Sequence, residues 1–275
     1  LSCEWYFVTK EDYEALDLEA FSRYYEAISL KNYIEESKAA YPSIDFSAAE
    51  AVYNNTASTL AELQAAKESV KQAILDFQAG EATPEDPKDM TAAITNPTFD
   101  EIGNFDGWSG TQFGAGGTTS TCAELYDWDN FNTYQDLQNL PVGVYKVGVK
   151  GFYRAGSPDN DWNTKDDPSQ RHAKLYARSG EDSLYVAFPS LSSTARENPV
   201  YITTENGETA EYGMMNAAGY YVPNSMLDFT YFKEAENSTI KEISVLVPVS
   251  DNKLRIGLAK NANFDTDWCI VDDFT

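Results

Sequence analysis

Histidine and cysteine are nearly missing from this chain, and much catalytic chemistry goes with them. Among 275 residues there is one histidine, His172, and there are three cysteines, Cys3, Cys122 and Cys269. A Ser-His-Asp or Cys-His nucleophile would have to run through His172. No G-x-S-x-G elbow accompanies it, since "GWSG" at 107–110 has the wrong spacing. His172 therefore reads as a strand-end or loop-anchoring side chain. There is no C-x-x-C pair and no H-E-x-x-H, so the usual zinc spacings are absent. The glycine-rich "GAGG" at 114–117 stands between strand-like segments rather than ahead of a helix, so it is no phosphate cradle. Acid pairs of the glycosidase kind are always available among 44 Asp and Glu, but none sits in a recognisable context.

Positive charge is scarce as well. The 20 Lys and Arg against 44 acids leave a formal net charge of −24. Such a surface repels phosphate backbones and anionic lipid heads, which argues against a nucleic-acid partner. It fits neutral sugars, cations or plain solubility. No apolar run approaches the roughly 18 residues needed to span a bilayer. The chain starts at Leu1 with no leader, as a mature or partial chain would. "LSC" at the start is only a trace of a lipoprotein cysteine, so any lipid anchor is expected outside this region. Cys122 and Cys269 read as two buried thiols, or as a pair if their strands are neighbours.

Aromatic residues are abundant, with 18 Tyr, 14 Phe and 5 Trp. Residues 1–10, "LSCEWYFVTK", read as a short strand, which is unstable alone and looks like the end of an upstream module. Residues 11–80 read as a small all-α bundle of about three helices. Tyr13, Leu16, Ala20, Tyr24 and Ala27 keep a helical period, Ser47/Glu50 and Thr59/Glu62 look like capping boxes, and Leu60, Leu63, Ala66, Val70, Ile74 and Phe77 form a stripe stopped by Gly80. Nothing polar converges inside it, so it reads as a spacer. Residues 81–92 are a Pro-rich charged linker.

From residue 93 to 275 the period changes to two. Tyr145, Val147 and Val149 alternate with polar or small neighbours, as do Ile243, Val245, Val247 and Val249, and then Leu254, Ile256 and Leu258. Turn signals such as "LPVG" and "SDN" separate the runs, which predicts an all-β sandwich or barrel. A short helical turn is expected within 225–237. Residues 155–171 and 190–219 read as long loops. Asp100 is placed at the end of the first strand and Asp272-Asp273 in the last. If those strands pair, the three carboxylates meet and could hold a structural calcium; otherwise they are solvated acids on a strand edge.

Several segments together resemble the galactose-binding-like jelly rolls among carbohydrate-binding modules. "ITNPTFDEIGNFDGWSG" is similar to their opening and "DWCIVDDFT" to their last strand. "FNTYQDLQNLPVGVYKVGVKGFYRAG", "YVPNSM" and "LRIGLAK" resemble the core of modules common in large surface proteins of gut Bacteroidetes. The likeness covers residues 93–275, and 11–80 looks like the spacer bundles of such proteins. It implies a jelly-roll sandwich that is secreted or held at the outer membrane or cell surface. It also implies a non-catalytic glycan-binding role within a longer chain, and a structural calcium at Asp100, Asp272 and Asp273.

A sugar site needs an aromatic platform and planar polar groups. Trp162 lies in an acidic loop, with Tyr153 and Arg154 at the entry and Arg171 and His172 at the exit, so these five are the expected ligand-binding edge. Tyr212, Tyr220 and Tyr221 are the second choice. Trp108, Trp128 and Trp268 are expected in the core. The competing readings are an adhesion or structural module without sugar affinity, and the accessory region of a glycoside hydrolase whose catalytic domain lies elsewhere.

Overall fold

The computed structural model describes residues 18–114, 121–203, 206–262 and 264–275, and the chain divides into two compact units, Leu1–Lys88 and Asp89–Thr275. The strand expected at 1–10, Cys3, Tyr13 and Leu16 lie outside the described residues.

The first unit contains helices α1 (Leu18–Ala40), α2 (Ser47–Asn54) and α3 (Leu60–Glu81). Leu63, Ala66, Val70 and Ile74 of α3 are buried against Leu30 and Ile34 of α1 and against Phe46 and Ala49. Tyr24 departs from the expected stripe: it is 64% exposed, because the buried face of α1 follows the aliphatic Leu30 and Ile34 instead. The Thr59 box forms, with Glu62 N donating to Thr59 Oγ1 at 3.2 Å and Thr59 N to Glu62 Oε2 at 2.7 Å. The Ser47 box does not. The helix starts one residue earlier, with Phe46 at the N-cap accepting from Glu50 N at 3.0 Å, and Asp45 accepts from Ser47 N at 2.9 Å. Helix α3 also continues through Gly80 to Glu81.

The second unit is a β-sandwich. Its strands are β1 (Ser109–Gly110), β2 (Ala123–Tyr126), β3 (Asn130–Gln138), β4 (Gly143–Arg154), β5 (Lys174–Ser179), β6 (Asp182–Ala187), β7 (Val200–Thr203), β8 (Thr209–Tyr212), β9 (Met214–Met215), β10 (Tyr221–Val222), β11 (Glu242–Val249), β12 (Lys253–Asn261) and β13 (Trp268–Asp272). A five-stranded sheet, β1-β3-β12-β5-β6, faces a four-stranded sheet, β11-β4-β13-β2, and the strand pairs in both are antiparallel. The alternation read from sequence sets the inner core. Phe131, Leu175, Ile256 and Leu258 meet Val147, Val149, Val247 and Val271 across the interface. The expected turns lie between β3 and β4 and between β11 and β12. They clip together through Leu140 N to Asn252 O at 3.1 Å, with Asn252 at φ 60°.

A second core lies behind the four-stranded sheet. Phe152, Trp268 and Ile270 point away from the first core and are covered by Leu191, Val222, Phe229 and Phe232. The cover comes from the β7–β8 and β9–β10 hairpins and helix α5 (Met226–Glu234), the helical turn expected there; the other short helix, α4, is Pro158–Asn163. Burial on both faces explains why "WCIV" reads as a continuous apolar run rather than an alternation. It also corrects the reading of 155–171 and 190–219 as open loops, since they contain α4, β7, β8 and two 3₁₀ turns. Cys122 and Cys269 are free and buried, one in the outer core and one in the inner, so the sheet itself separates their thiols. Trp108 and Trp268 pack into the cores as expected, but Trp128 is 45% exposed, carried outward by the β2–β3 turn where Asp127 has φ 57°. Among the described residues, no helix is long and apolar enough to cross a membrane.

Candidate functional site

The expected binding edge turns inward. Tyr153 is fully buried, and its hydroxyl donates to Asp267 Oδ2 at 2.6 Å. That carboxylate is also ion-paired with buried Lys260. Burial and the Asp267 bond push the Tyr153 phenol up, so it stays protonated. Arg154 is 7% exposed; it donates to Asn224 Oδ1 at 2.9 Å and lies 5.2 Å from the Trp268 ring centre. Arg171 donates to Thr164 O at 3.1 Å and pairs with Asp161 at 3.3 Å. Burial, then the nearby Lys260 charge, lowers the half-buried His172 and keeps it neutral.

Asp161 explains this inward turn. It is fully buried on α4, where it accepts from Ala155 N at 3.0 Å, from Ser192 N at 2.8 Å and from the hydroxyls of Ser190 and Ser192. A buried carboxylate needs such donors, and here they tie the 155–171 segment to the 190–194 turn. Trp162 is half-buried beside it. Its ring stacks on Tyr220 at 4.9 Å and 21°, and Lys165 Nζ is 4.8 Å from its centre. A tryptophan engaged this way packs its own loop, so neither Trp162 nor Tyr220 is a bare platform. Tyr212 likewise packs on Tyr231 at 4.3 Å, and Tyr221 is held in the β9–β10 pairing.

The calcium ligands are not brought together. Asp272 is fully buried and paired with Lys233, and Asp273 bonds Lys150 at 2.8 Å and Lys233 at 3.3 Å. Asp100 is exposed, lies outside any strand, and accepts from Thr98 Oγ1 at 2.6 Å. The chain passes close by, as Phe274 N to Pro97 O at 2.9 Å shows, but the Asp100 carboxylate goes elsewhere. Among the described residues no group of three or more His, Cys, Asp or Glu could hold a metal ion. Two ammonium groups already balance the Asp272-Asp273 pair, so this donor set does not fit calcium.

An open surface lies on the outer face of the five-stranded sheet. One cross-strand row there reads Ser109, Tyr134, Gly257, Tyr176, Tyr185. Gly257 is what allows the row to be aromatic. A Cβ at this position would lie 2.9 Å from Tyr176 Cε1, 2.9 Å from Tyr134 Cβ and 2.4 Å from Thr133 O, so the Tyr176 ring lies over the bare backbone. Tyr176 donates to Asn132 Oδ1 at 2.8 Å and sits 5.8 Å from Tyr185, with their rings inclined by 32°. Burial raises the Tyr176 phenol to about 12, so it remains a donor. Tyr185 is the open ring, 56% exposed. The next row reads Asp136, Arg255, Arg178, Ser183. Arg255 holds Asp136 with two bonds of 2.7 Å, and its guanidinium carbon lies 3.8 Å from the Tyr134 ring centre. The Arg255 bonds hold the Asp136 carboxyl below its ordinary range. A flat aromatic strip beside planar hydrogen-bonding groups is able to bind a sugar ring by its C–H face and its hydroxyls.

No protein-family model matches the chain, and no curated protein matches it. Solved structures similar to it include carbohydrate-binding modules with a β-sandwich fold. TmCBM61, in complex with β-1,4-galactotriose, is 15% identical over 66% of this chain and 94% of that one, with a TM-score of 0.33. A Family 16 carbohydrate-binding module is 11% identical over 66% of this chain and 97% of its own, with a TM-score of 0.32. TmCBM27, a module of specific mannan recognition, is 10% identical over 65% and 94% at a TM-score of 0.24. Similarity at this level assigns neither a family nor a ligand.

Proposed function

We propose that the sandwich is a non-catalytic carbohydrate-binding module of the jelly-roll type. In this reading it is carried on a helical spacer and works at the cell surface as part of a longer glycan-acquisition protein. The observation that carries the proposal is the row Tyr134, Gly257, Tyr176, Tyr185 on the outer face of the five-stranded sheet, where Tyr185 is exposed and rests against the buried Tyr176. An exposed aromatic costs solubility and adds nothing to the core, so its placement beside Asn132, Asp136 and Arg255 supports a binding role.

The test is a glycan array followed by calorimetry on the full chain and two variants. Tyr185→Ala should weaken glycan binding by about tenfold or more through loss of stacking. Trp162→Ala, in the self-packed loop, should leave the affinity unchanged. The reverse pattern would move the site to the loop. An array with no signal on plant, host or microbial glycans would leave the adhesion reading.

A further inference from the structure

Taking the open face as a sugar platform, we infer that its ligand is an acidic glycan, one carrying carboxylate groups on its sugar rings. The chain as a whole has a net charge of −24, yet the solvent side of the five-stranded sheet carries Lys174, Arg178, Lys253 and Arg255 against one acid, Asp136. That reversal of sign coincides with the aromatic strip.

The cations are also unevenly satisfied. Arg255 is neutralised by its two-bond contact with Asp136. Arg178 is the Cα partner of Arg255 on its other side. Like charges directly opposite on a sheet destabilise the pair, and nothing among the described residues offers Arg178 a carboxylate. Lys174 is equally without an ion pair among the described residues. Both are exposed, and both lie two positions from Tyr176 on its own strand, on its own face, about 7 Å to either side. A sugar ring stacked on the exposed Tyr185, beside the buried Tyr176, thus has an unpaired cation near each end. A ring carboxylate would neutralise Arg178 and form bonds charged on both sides, whereas a neutral hydroxyl accepts a bond but leaves the cation's charge uncompensated.

The experiment uses the full chain in chelator, by affinity electrophoresis and calorimetry. The probes are polygalacturonate, alginate and a polyglucuronate, each beside its carboxyl-reduced form, with dextran sulfate as a further arm. At least one carboxylated polymer should bind, about tenfold or more tighter than its reduced form, and weaken as salt rises. Arg178→Gln and Lys174→Gln should each lose most of that preference, and Tyr185→Ala should lose binding to both forms. Equal affinity for acid and reduced polymers overturns the inference and leaves the sugar-binding reading standing. Dextran sulfate binding at least as tightly, unaffected by Tyr185→Ala, overturns it in favour of plain charge attraction. Binding to none of these polymers overturns the inference and leaves the sugar-binding reading to the glycan array.

Discussion

The two sheets of the sandwich are built from the same kind of strand, but they end up in different solvents. The four-stranded sheet is buried on both faces along β13 and the end of β4, with Phe152, Trp268 and Ile270 under α5 and the β7–β10 hairpins, while its outer face stays open at Val144 and Leu246. The five-stranded sheet has no segment over its other face, which carries Tyr134, the buried Tyr176 and the exposed Tyr185. The buried aromatics behind the first sheet include Phe and Trp in T-shaped contact, such as Phe152 with Phe229 at 5.8 Å and Phe152 with Trp268 at 5.2 Å, with Tyr212, Tyr221 and Tyr231 packed around them. In the row on the second, Tyr185 is exposed and the Tyr176 hydroxyl donates to Asn132. The contrast teaches that aromatic content alone is ambiguous in such a chain. What separates a core ring from a platform ring is whether another segment folds over it.

The largest test of that contrast is Phe229→Ala. Removing a fully buried ring from the covering helix should cost about 3–5 kcal/mol in chemical denaturation, whereas Tyr185→Ala on the open face should cost under about 1 kcal/mol. Equal costs would mean that the two faces are not different in kind. Next comes Gly257→Ala. The added methyl collides with Thr133 O and the Tyr176 ring, so the expected loss is about 1–3 kcal/mol, with weaker glycan binding from a displaced strip. The smallest effect is electrostatic. Asp136 is held below its ordinary value of 3.8 by its bonds to Arg255. The stability from this pair is therefore present above that ordinary value and lost as pH falls through the depressed one. Both groups are partly exposed, so Asp136→Asn should cost less than about 1 kcal/mol near neutrality and nothing in strong acid.

The strands were legible because alternation is a local property. Val147, Val149, Leu254, Ile256 and Leu258 announced both their strands and their inward face. The Thr59 cap was legible for the same reason, while the Ser47 cap failed because the helix begins one residue earlier, at Phe46. The tyrosine row had a visible half. Tyr134 and Tyr176 stand out of phase with Phe131, Leu137, Leu175 and Ala177 on their own strands, which marks them as outward rings. The other half was hidden, because Gly257 comes between them only through the register of β12 with β3 and β5. Residues 153, 154, 162, 171 and 172 looked like a site because charged and aromatic residues cluster there in sequence. Nothing local disclosed that Asp161 would reach Ser190 and Ser192 and close that loop. The calcium expectation failed similarly: Lys233 lies far from Asp272 in sequence and meets it only in the fold.

The order of strands has a consequence for how the chain becomes a sandwich at all. The middle strand of one sheet is β12, and β13 lies inside the other between β4 and β2. Both are made after every other strand. A nascent chain emerging from the ribosome thus carries two incomplete half-layers, each waiting for its keystone, and β12 must find β3 across more than a hundred residues. Such late, distant pairing slows assembly and leaves apolar strand edges open in the meantime. Folding of this unit is then a nearly all-or-none event triggered by the synthesis of residues 253–272, and a chain released before them has neither core to retreat to.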